Sequence, residues 1–503
     1  MTDKWFPRKS QYAVGVMDQS TGSDFLVLDP TDAPPRARSA WLAVRIRAAI
    51  GAGALTRGAR LPSSRLLAAD LGFARGTVVA AYQELTDAGW LSSQVGAGTV
   101  VSHPGPSTIN APPTGWATES APGSATGSAT GSATESPLAY PSPPGRVRLN
   151  LTPGRPDLAF MPRGPWLRAT QQAMRSLAHE DFMYPDPQGD LCLREEIAAM
   201  LHRTRGMAVE AGHVIITAGV SQATALLFEV LRRGGASDLA VEDPGSRGLH
   251  NHVRHWGLTA QPIPVDDEGL IAECLGTEAG VLLTPAHQFP TGVVLSPRRR
   301  QHVIRWARSP GAVISEDDYA AEHRYDRAPV SALHGLAPDC TAYVGTVSKT
   351  IAPGLRLGWL IPPVDRLPQL VAHKDASDRG SPILPQRALA MLLRSGQVTS
   401  HLRRVKTRQR QRRDALLDGM HSTPHDATIH GVAAGLHLLV TLPEHVDDLR
   451  IAEELAERDI LVEALSLHRI RPGHPGLVIG YAANTPDELR DAGRVIADVL
   501  SRA

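Results

Sequence analysis

Between His103 and Gly145 the chain is almost free of charged and large apolar residues, is rich in Pro, Gly, Ser, Ala and Thr, and repeats Gly-Ser-Ala-Thr three times from Gly123 to Thr134. A stretch of that composition cannot bury a core. The chain must therefore fold as separate bodies joined by a flexible linker, assigned here to 103–148. Treated as a coil of about 40 residues, the linker has a root-mean-square reach of about 35 Å. The flanking segments, 24–102 and 149–503, belong to a chain of 503 residues that is 42% hydrophobic, which is enough for a core in each.

Charge is distributed unevenly between them. The net charge is only +1, but Arg36 to Ser102 holds eight Arg against Asp70, Glu84 and Asp87, so this interval carries +5 and the remainder −4. Such an excess on a small domain suits nucleic acid. The three cysteines, Cys192, Cys274 and Cys340, are far apart and form no CxxC pair, and the histidines have no metal-ligand spacing, so neither a disulfide framework nor a metal is expected. The N-terminus has no apolar signal region and no run reaches membrane-spanning length. The expected location is the cytoplasm.

In the first body Leu42, Ile46, Ala49 and Ile50 recur at helical spacing. Pro62-Ser63 is a helix entry for Ser64 to Leu71, with Gly72 as its stop, and Val78, Ala81, Tyr82 and Leu85 form the apolar face of the next helix. Gly89-Trp90-Leu91 and Val95 to Val101 read as a short hairpin. Three helices and a glycine-tipped hairpin make a winged helix-turn-helix. Arg65 and Arg75, in first helical turns, are placed for phosphate or guanine, Thr77 supplies a hydroxyl, and Gly96 and Gly98 let the wing backbone approach DNA. The run from Leu61 to Val101 resembles the GntR-type winged-helix domain over its length, which implies DNA contacts at Arg65, Arg75, Thr77 and Gly96. Ala74 stands where a Ser or Thr would cap the recognition helix and Gly76 follows, so its first turn is expected to fray.

From Leu149 on, apolar runs alternate with helical patterns: Val214 to Thr217, Leu239 to Val241, Val281 to Thr284, Ala312 to Ser315 and Ala342 to Val344. The alternation predicts an α/β layer with a mostly parallel sheet. A smaller α+β lobe is expected over about 395–503, from Gly435 to Thr441, a helix near Asp447 to Arg458, and Gly476 to Tyr481.

This body also carries the parts needed by an aldehyde cofactor such as pyridoxal phosphate: an amine, a carboxylate for the pyridine nitrogen, a donor for the ring hydroxyl and a phosphate cup. Lys349 lies in Thr346-Val347-Ser348-Lys349, Glu316-Asp317-Asp318-Tyr319 follows an apolar strand, and Gly219-Val220-Ser221-Gln222 opens a helix after another. The segment from Leu149 resembles the fold-type I aminotransferases, and with the winged helix in front the whole chain resembles the MocR subfamily of GntR regulators. The resemblance implies that Lys349 holds pyridoxal 5'-phosphate as a Schiff base, Asp317, rather than its neighbour Asp318, meets the pyridine nitrogen, and Tyr319 donates to the ring hydroxyl. Val220, Ser221, Thr346, Ser348 and Arg356 would hold the phosphate, and His287 would join the cofactor set. Tyr184 matches a tyrosine that reaches the phosphate from the other subunit, implying a homodimer, with a head-to-tail swap of winged helices.

Three departures bear on the ligand. His287-Gln288-Phe289-Pro290-Thr291-Gly292 replaces the Asn-Pro-Thr-Gly of aminotransferases, Ser246 stands where an aromatic usually stacks on the ring, with His250 or Arg247 as substitutes, and Gly476 stands where an arginine grips a substrate carboxylate. Arg469 or Arg471 could replace that clamp. The expectation is a regulator of promoter DNA that responds to the cofactor itself, at genes of vitamin B6 synthesis or salvage, and not a working enzyme. The alternatives are an amino-acid- or amine-responsive regulator and an active aminotransferase with a DNA anchor. The basic run Arg403 to Arg413 is expected to be a solvated helix joining the lobes rather than a second DNA surface.

Overall fold

The computed structural model describes residues 33–34, 37–51, 55, 58–94, 98–102, 149–309, 311–324, 330–430 and 434–502. The stretch 24–32, the wing residue Gly96 and the linker 103–148 lie outside these residues. Two compact units divide the chain, one built mainly from residues before 112 and the other mainly from those after it.

In the first unit the Leu42, Ile46 and Ile50 stripe of the helix Arg38–Gly51 is fully buried, as are Leu67, Val78 and Leu85. The helix Ser64–Leu71 starts where the Ser63 hydroxyl accepts the Leu66 N–H and stops where Gly72 turns left-handed at φ 63°. Both ends are thus set by residue type. The next helix, Arg75–Asp87, buries the expected face of Val78, Ala81, Tyr82 and Leu85. The Tyr82 hydroxyl donates to the Pro62 carbonyl at 2.9 Å, tying this helix to the entry of the one before it. In place of a side-chain cap, the Thr77 N–H closes on the Ala74 carbonyl at 2.9 Å. The wing strands Leu91–Gln94 and Gly98–Val101 pair antiparallel, and the segment around Arg60 adds a third edge through a bridge to Val100.

The second unit is built on an eight-stranded sheet. Its spatial order is Ile215–Thr217, Gly358–Ile361, Thr341–Thr346, Val313–Asp317, Gly280–Leu283, Asp238–Asp243, Thr259–Asp266 and Gly269–Leu270. Neighbours are parallel except at Gly358–Ile361, which runs against both of its partners, and at the outermost Gly269–Leu270. Alternate residues feed two cores. Ile216, Tyr343, Trp359 and Ile361 face the helices Leu191–Arg205 and Ile383–Arg394, whereas Ile215, Ala342, Val344 and Leu360 face the helix Val220–Arg233. A sheet covered on both faces explains why its strands read as continuous apolar runs. Because Ile215–Thr217, Asp238–Asp243, Thr259–Asp266, Gly280–Leu283, Val313–Asp317 and Thr341–Thr346 share one direction, all their carboxyl ends meet at one edge.

The small lobe is a four-stranded antiparallel sheet in the order Thr428–His430, His437–Thr441, Gly476–Gly480 and Glu463–Ala464. It packs with the helices Asp448–Glu457 and Pro486–Leu500 and the long helix Gln397–Gly419. The lobe is wider than the stretch 395–503: Leu149–Asn150 pairs in parallel with Ile460–Leu461, and Leu149 and Leu151 enter its core. The basic run forms a helix in which Arg403, Arg404 and Arg410 are exposed as expected, but it departs from a solvated face at Arg408 and Arg412. Arg412 is buried against Asp157 at 2.6 Å and the Ala482 carbonyl at 2.7 Å, and Arg408 bonds Asp157 at 2.9 Å while lying 4.5 Å over the Phe160 ring. These cations hold the lobe to the segment after Leu149 and are not a free basic surface.

Gly345 is the last residue but one of the strand that delivers Lys349, and a Cβ there would lie 2.3 Å from the Trp359 ring. Gly345→Ala is expected to destabilise the chain by about 1–3 kcal/mol through overpacking. A lowered urea midpoint at unchanged slope would show it.

Candidate cofactor pocket and nucleic-acid interface

The edge where the strand ends meet gathers the sequence-predicted cofactor residues, apart from Tyr184. Lys349 follows Thr341–Thr346, and its amine donates to the Gly154 carbonyl at 2.6 Å. Gly154 has φ 80°, and a Cβ there would come within 3.1 Å of that nitrogen, so a glycine suits the contact. Burial pulls the Lys349 amine below its ordinary pKa, and the Asp317 charge opposes this. A lysine so placed has a larger neutral, nucleophilic fraction.

Three acidic residues end the strand Val313–Asp317 or follow it, and they are treated differently. Glu316 accepts the N–H groups of Leu333 at 2.9 Å and His334 at 3.0 Å. Asp318 pairs through Oδ2 with Arg205 at 2.7 Å and accepts the Tyr343 hydroxyl at 2.5 Å. Asp317 is 6% exposed, and its Oδ1 is buried without a hydrogen-bond partner. The two aspartates thus differ: Asp318 has a resident arginine, whereas the positive charge that acts on Asp317 is that of Lys349. Tyr319 likewise has a buried hydroxyl without a partner, and burial raises its pKa well above the ordinary value. It remains a proton donor.

His287 is 3% exposed, and neither ring nitrogen makes a hydrogen bond of normal geometry. Burial, with His437, Arg324 and His323 nearby, lowers its pKa to about 3, against a weak opposing effect of the Gly292 backbone, so the ring is neutral. Its centroid lies 6.3 Å from Tyr319 and 5.6 Å from His437.

The phosphate candidates converge at the start of the helix Val220–Arg233. Its N-cap, Gly219, offers no side chain, so the first-turn N–H groups at Val220 and Ser221 stay available to an anion. Arg356 takes a left-handed backbone at φ 50° and donates to the Ala218 carbonyl, with its guanidinium against Gly219. A non-glycine residue in that region is held there by its surroundings. Thr346 and Ser348 join hydroxyls at 2.9 Å beside Lys349. Tyr184 is 84% exposed, next to the exposed Phe182 and Met183, and is not brought to this pocket within the chain.

The ligand-side wall is apolar. Phe289 packs with His437 at 5.0 Å, His468 at 5.1 Å and Tyr319 at 6.3 Å. Gln288 is used structurally, spanning the Pro244 carbonyl and the Thr291 N–H and hydroxyl. Neither substitute for a stacking aromatic is free for the role: His250 is bonded to the Glu242 carbonyl at 3.0 Å, Arg247 is exposed, and Ser246 caps its own helix. Position 476 could not hold an arginine, because a Cβ there would lie 2.5 Å from the Val440 carbonyl. The residue of that strand that packs with Phe289 is Val478, which also has no charge. Arg471 is exposed, and Arg469 folds back on Gly473 of its own loop.

These residues fit pyridoxal phosphate. An unpartnered carboxyl oxygen suits a cationic ring nitrogen, an unpartnered phenol suits the ring hydroxyl, and the uncapped helix start with Arg356 suits the phosphate. Reading the sequence missed the Gly154 carbonyl as the lysine's partner. The only signal was the Pro153-Gly154-Arg155-Pro156 turn.

In the first unit Arg65 and Arg75 are exposed, Thr77 is half-buried, and the Arg75 Nε reaches the Ser64 hydroxyl at 3.5 Å. Two helix starts therefore present cations side by side, as a duplex reader needs.

Two family descriptions match the chain: "Bacterial regulatory proteins, gntR family" at residues 40–101 and "Aminotransferase class I and II" at residues 149–496. The HTH-type pyridoxine biosynthesis transcriptional regulator PdxR of Corynebacterium glutamicum is 32% identical over 475 residues, covering 94% of this chain and 97% of that protein. The probable rhizopine catabolism regulatory protein MocR of Rhizobium meliloti is 29% identical, covering 93% and 94%. The kynurenine aminotransferase of Pyrococcus horikoshii has a TM-score of 0.66 at 21% identity, covering 71% of this chain and 91% of its own. LysN, the α-aminoadipate aminotransferase of Thermus thermophilus, has a TM-score of 0.64 at 22% identity, covering 70% and 92%. These structures establish the aminotransferase fold of the second unit.

Burial holds the Asp317 carboxyl near pKa 7, above the ordinary 3.8, with Asp318 helping and Lys349 opposing. The folded chain then keeps a proton that the unfolded chain loses between about pH 4 and 7, so stability falls as pH rises through that window. In cofactor-free protein Asp317→Asn is expected to raise stability at pH 8 by on the order of 2–4 kcal/mol. The gain should shrink as urea titrations are moved down to pH 5. A winged helix of the gntR family followed over nearly the whole remaining length by a class I and II aminotransferase domain places the chain in the MocR subfamily of GntR transcriptional regulators.

Proposed function

We propose that the chain is a cytoplasmic, homodimeric transcription regulator that takes up pyridoxal 5'-phosphate at Lys349 and thereby alters its hold on double-stranded promoter DNA, at genes of vitamin B6 synthesis or salvage. The observation that carries this is a pocket in which Asp317, beside the lysine, and Tyr319, beside Asp317, each bury a side-chain oxygen without a hydrogen-bond partner, while the strand Gly476–Gly480 supplies no cation for an amino-acid carboxylate. The Corynebacterium glutamicum relative, a pyridoxine biosynthesis transcriptional regulator, points the same way.

When bound, the cofactor supplies an electrophilic aldehyde and a cationic, electron-withdrawing ring. Lys349 would supply the amine that holds the group, in exchange for its hydrogen bond to the Gly154 carbonyl. Asp317 would be the carboxylate beside the ring nitrogen, which would offset the cost of its burial. Tyr319 would donate a hydrogen bond to the ring oxygen, and Arg356 with the Val220 and Ser221 N–H groups would hold the phosphate. Tyr184, lying in an exposed apolar run with Phe182 and Met183, would be covered by a second copy and reach that copy's phosphate.

No helix among the described residues is long and apolar enough to cross a membrane. One observation favours residual turnover: the lysine, carboxylate and phenol needed for transamination are all present. Two measurements separate the readings. Borohydride treatment with pyridoxal phosphate should leave a stable adduct on Lys349 in the parent and none in Lys349→Ala. Addition of amino acids to the loaded protein should leave the bound cofactor's absorbance unchanged over many minutes. Absence of the adduct overturns the cofactor reading, and rapid conversion to the amine form would make the chain an enzyme.

A further inference from the structure

Behind the phosphate cup is a buried cation with no part in the reading above. Lys374, in the helix Leu367–Asp378, is wholly buried and donates to the two Asp378 oxygens at 3.0 and 2.7 Å and to Ser381 Oγ at 3.1 Å. Asp378 accepts two more bonds, from Gln222 Nε2 at 2.7 Å and the Gly380 N–H at 2.9 Å. A carboxylate that already holds an ammonium fixes the sense of the Gln222 amide, since only its nitrogen can donate. The Gln222 oxygen is then turned to the Ala218 N–H, which it accepts at 2.8 Å.

On its other side Ala218 gives its carbonyl to Arg356. Both polar groups of this one residue are thus fixed, and the next residue is Gly219 at φ 86° and ψ −176°, a region open essentially to glycine. Gly358 closes the space behind, since a Cβ there would be 2.8 Å from Gly219 Cα. An apolar contact could anchor the same helix end to the sheet at lower desolvation cost than a buried ion pair. What the ion pair adds is direction: it turns one amide, and that amide turns one peptide.

We propose that Lys374, Asp378 and Gln222 are positioning residues for the cofactor phosphate, holding the Ala218–Gly219 backbone so that the Val220 and Ser221 N–H groups and Arg356 converge on one anion. This rests on the reading that pyridoxal phosphate binds at Lys349. The test compares, on the full chain, the dissociation constants of pyridoxal phosphate and of pyridoxal, which lacks the phosphate. Gln222→Met keeps the bulk and leaves the Lys374–Asp378 pair intact, so the fold is kept.

The expected result is a loss of about tenfold or more for pyridoxal phosphate with pyridoxal within about twofold of the parent. A double replacement, Lys374→Met with Asp378→Leu, removes both charges together and should give the same phosphate-selective pattern. Equal losses for the two ligands would mean a general packing role and overturn the proposal, as would unchanged binding of pyridoxal phosphate. If the parent forms no borohydride-stable adduct at Lys349, the broader reading fails and this one with it. If the parent forms the adduct and the variants show no phosphate selectivity, only this proposal fails.

Discussion

A carboxylate withdrawn from water must find a counter-charge or hydrogen bonds, or else take up a proton. Three such groups stand in sequence at the end of the strand Val313–Asp317, and the rest of the large unit is arranged around how each is treated. Glu316 is bonded to backbone amides and Asp318 is paired with the buried Arg205. Asp317 is left facing Lys349, its Oδ1 without a partner and its pKa lifted to about 7 by burial. The chain folds despite this cost, and a cationic ring would relieve it. Local destabilisation of this kind is how a site keeps binding energy in reserve for its ligand.

The sheet makes the site accessible to every part that it needs. Parallel strands bring Thr217, Asp243, Leu283, Asp317 and Thr346 to one edge, so lysine, carboxylate, phenol and anion cup meet without long loops. The same edge is walled by Phe289, the His437 and His468 rings and Val478. Such a wall can receive a flat ring, and the strand Gly476–Gly480 offers a free carboxylate no cation.

Much of this was legible in the sequence where the signal was local. The runs at 214–217, 281–284 and 312–315 stood out because both faces of those strands are buried, and Ser63 and Gly72 announced a helix from end to end. Thr259–Asp266 did not, because Pro262 and Pro264 interrupt it. They are tolerated where one neighbour is only the two-residue Gly269–Leu270. Long-range partners were invisible: nothing in Asp317-Asp318 says that Arg205 will claim the second of them, and nothing in the basic run says that Asp157 will bury Arg412. The resemblance puts the missing clamp at Gly476, whereas the strand's packing puts Val478 beside Phe289.

A regulator of this kind works by linkage: a ligand bound at Lys349 must change the affinity for DNA, and DNA must change the affinity for that ligand by the same factor. The direct measurement titrates pyridoxal phosphate into the full chain and follows both its absorbance at Lys349 and the affinity for promoter DNA, at fixed salt. The two curves should share one midpoint, and Lys349→Ala should abolish both. DNA affinity that stays constant while Lys349 saturates would rule the linkage out.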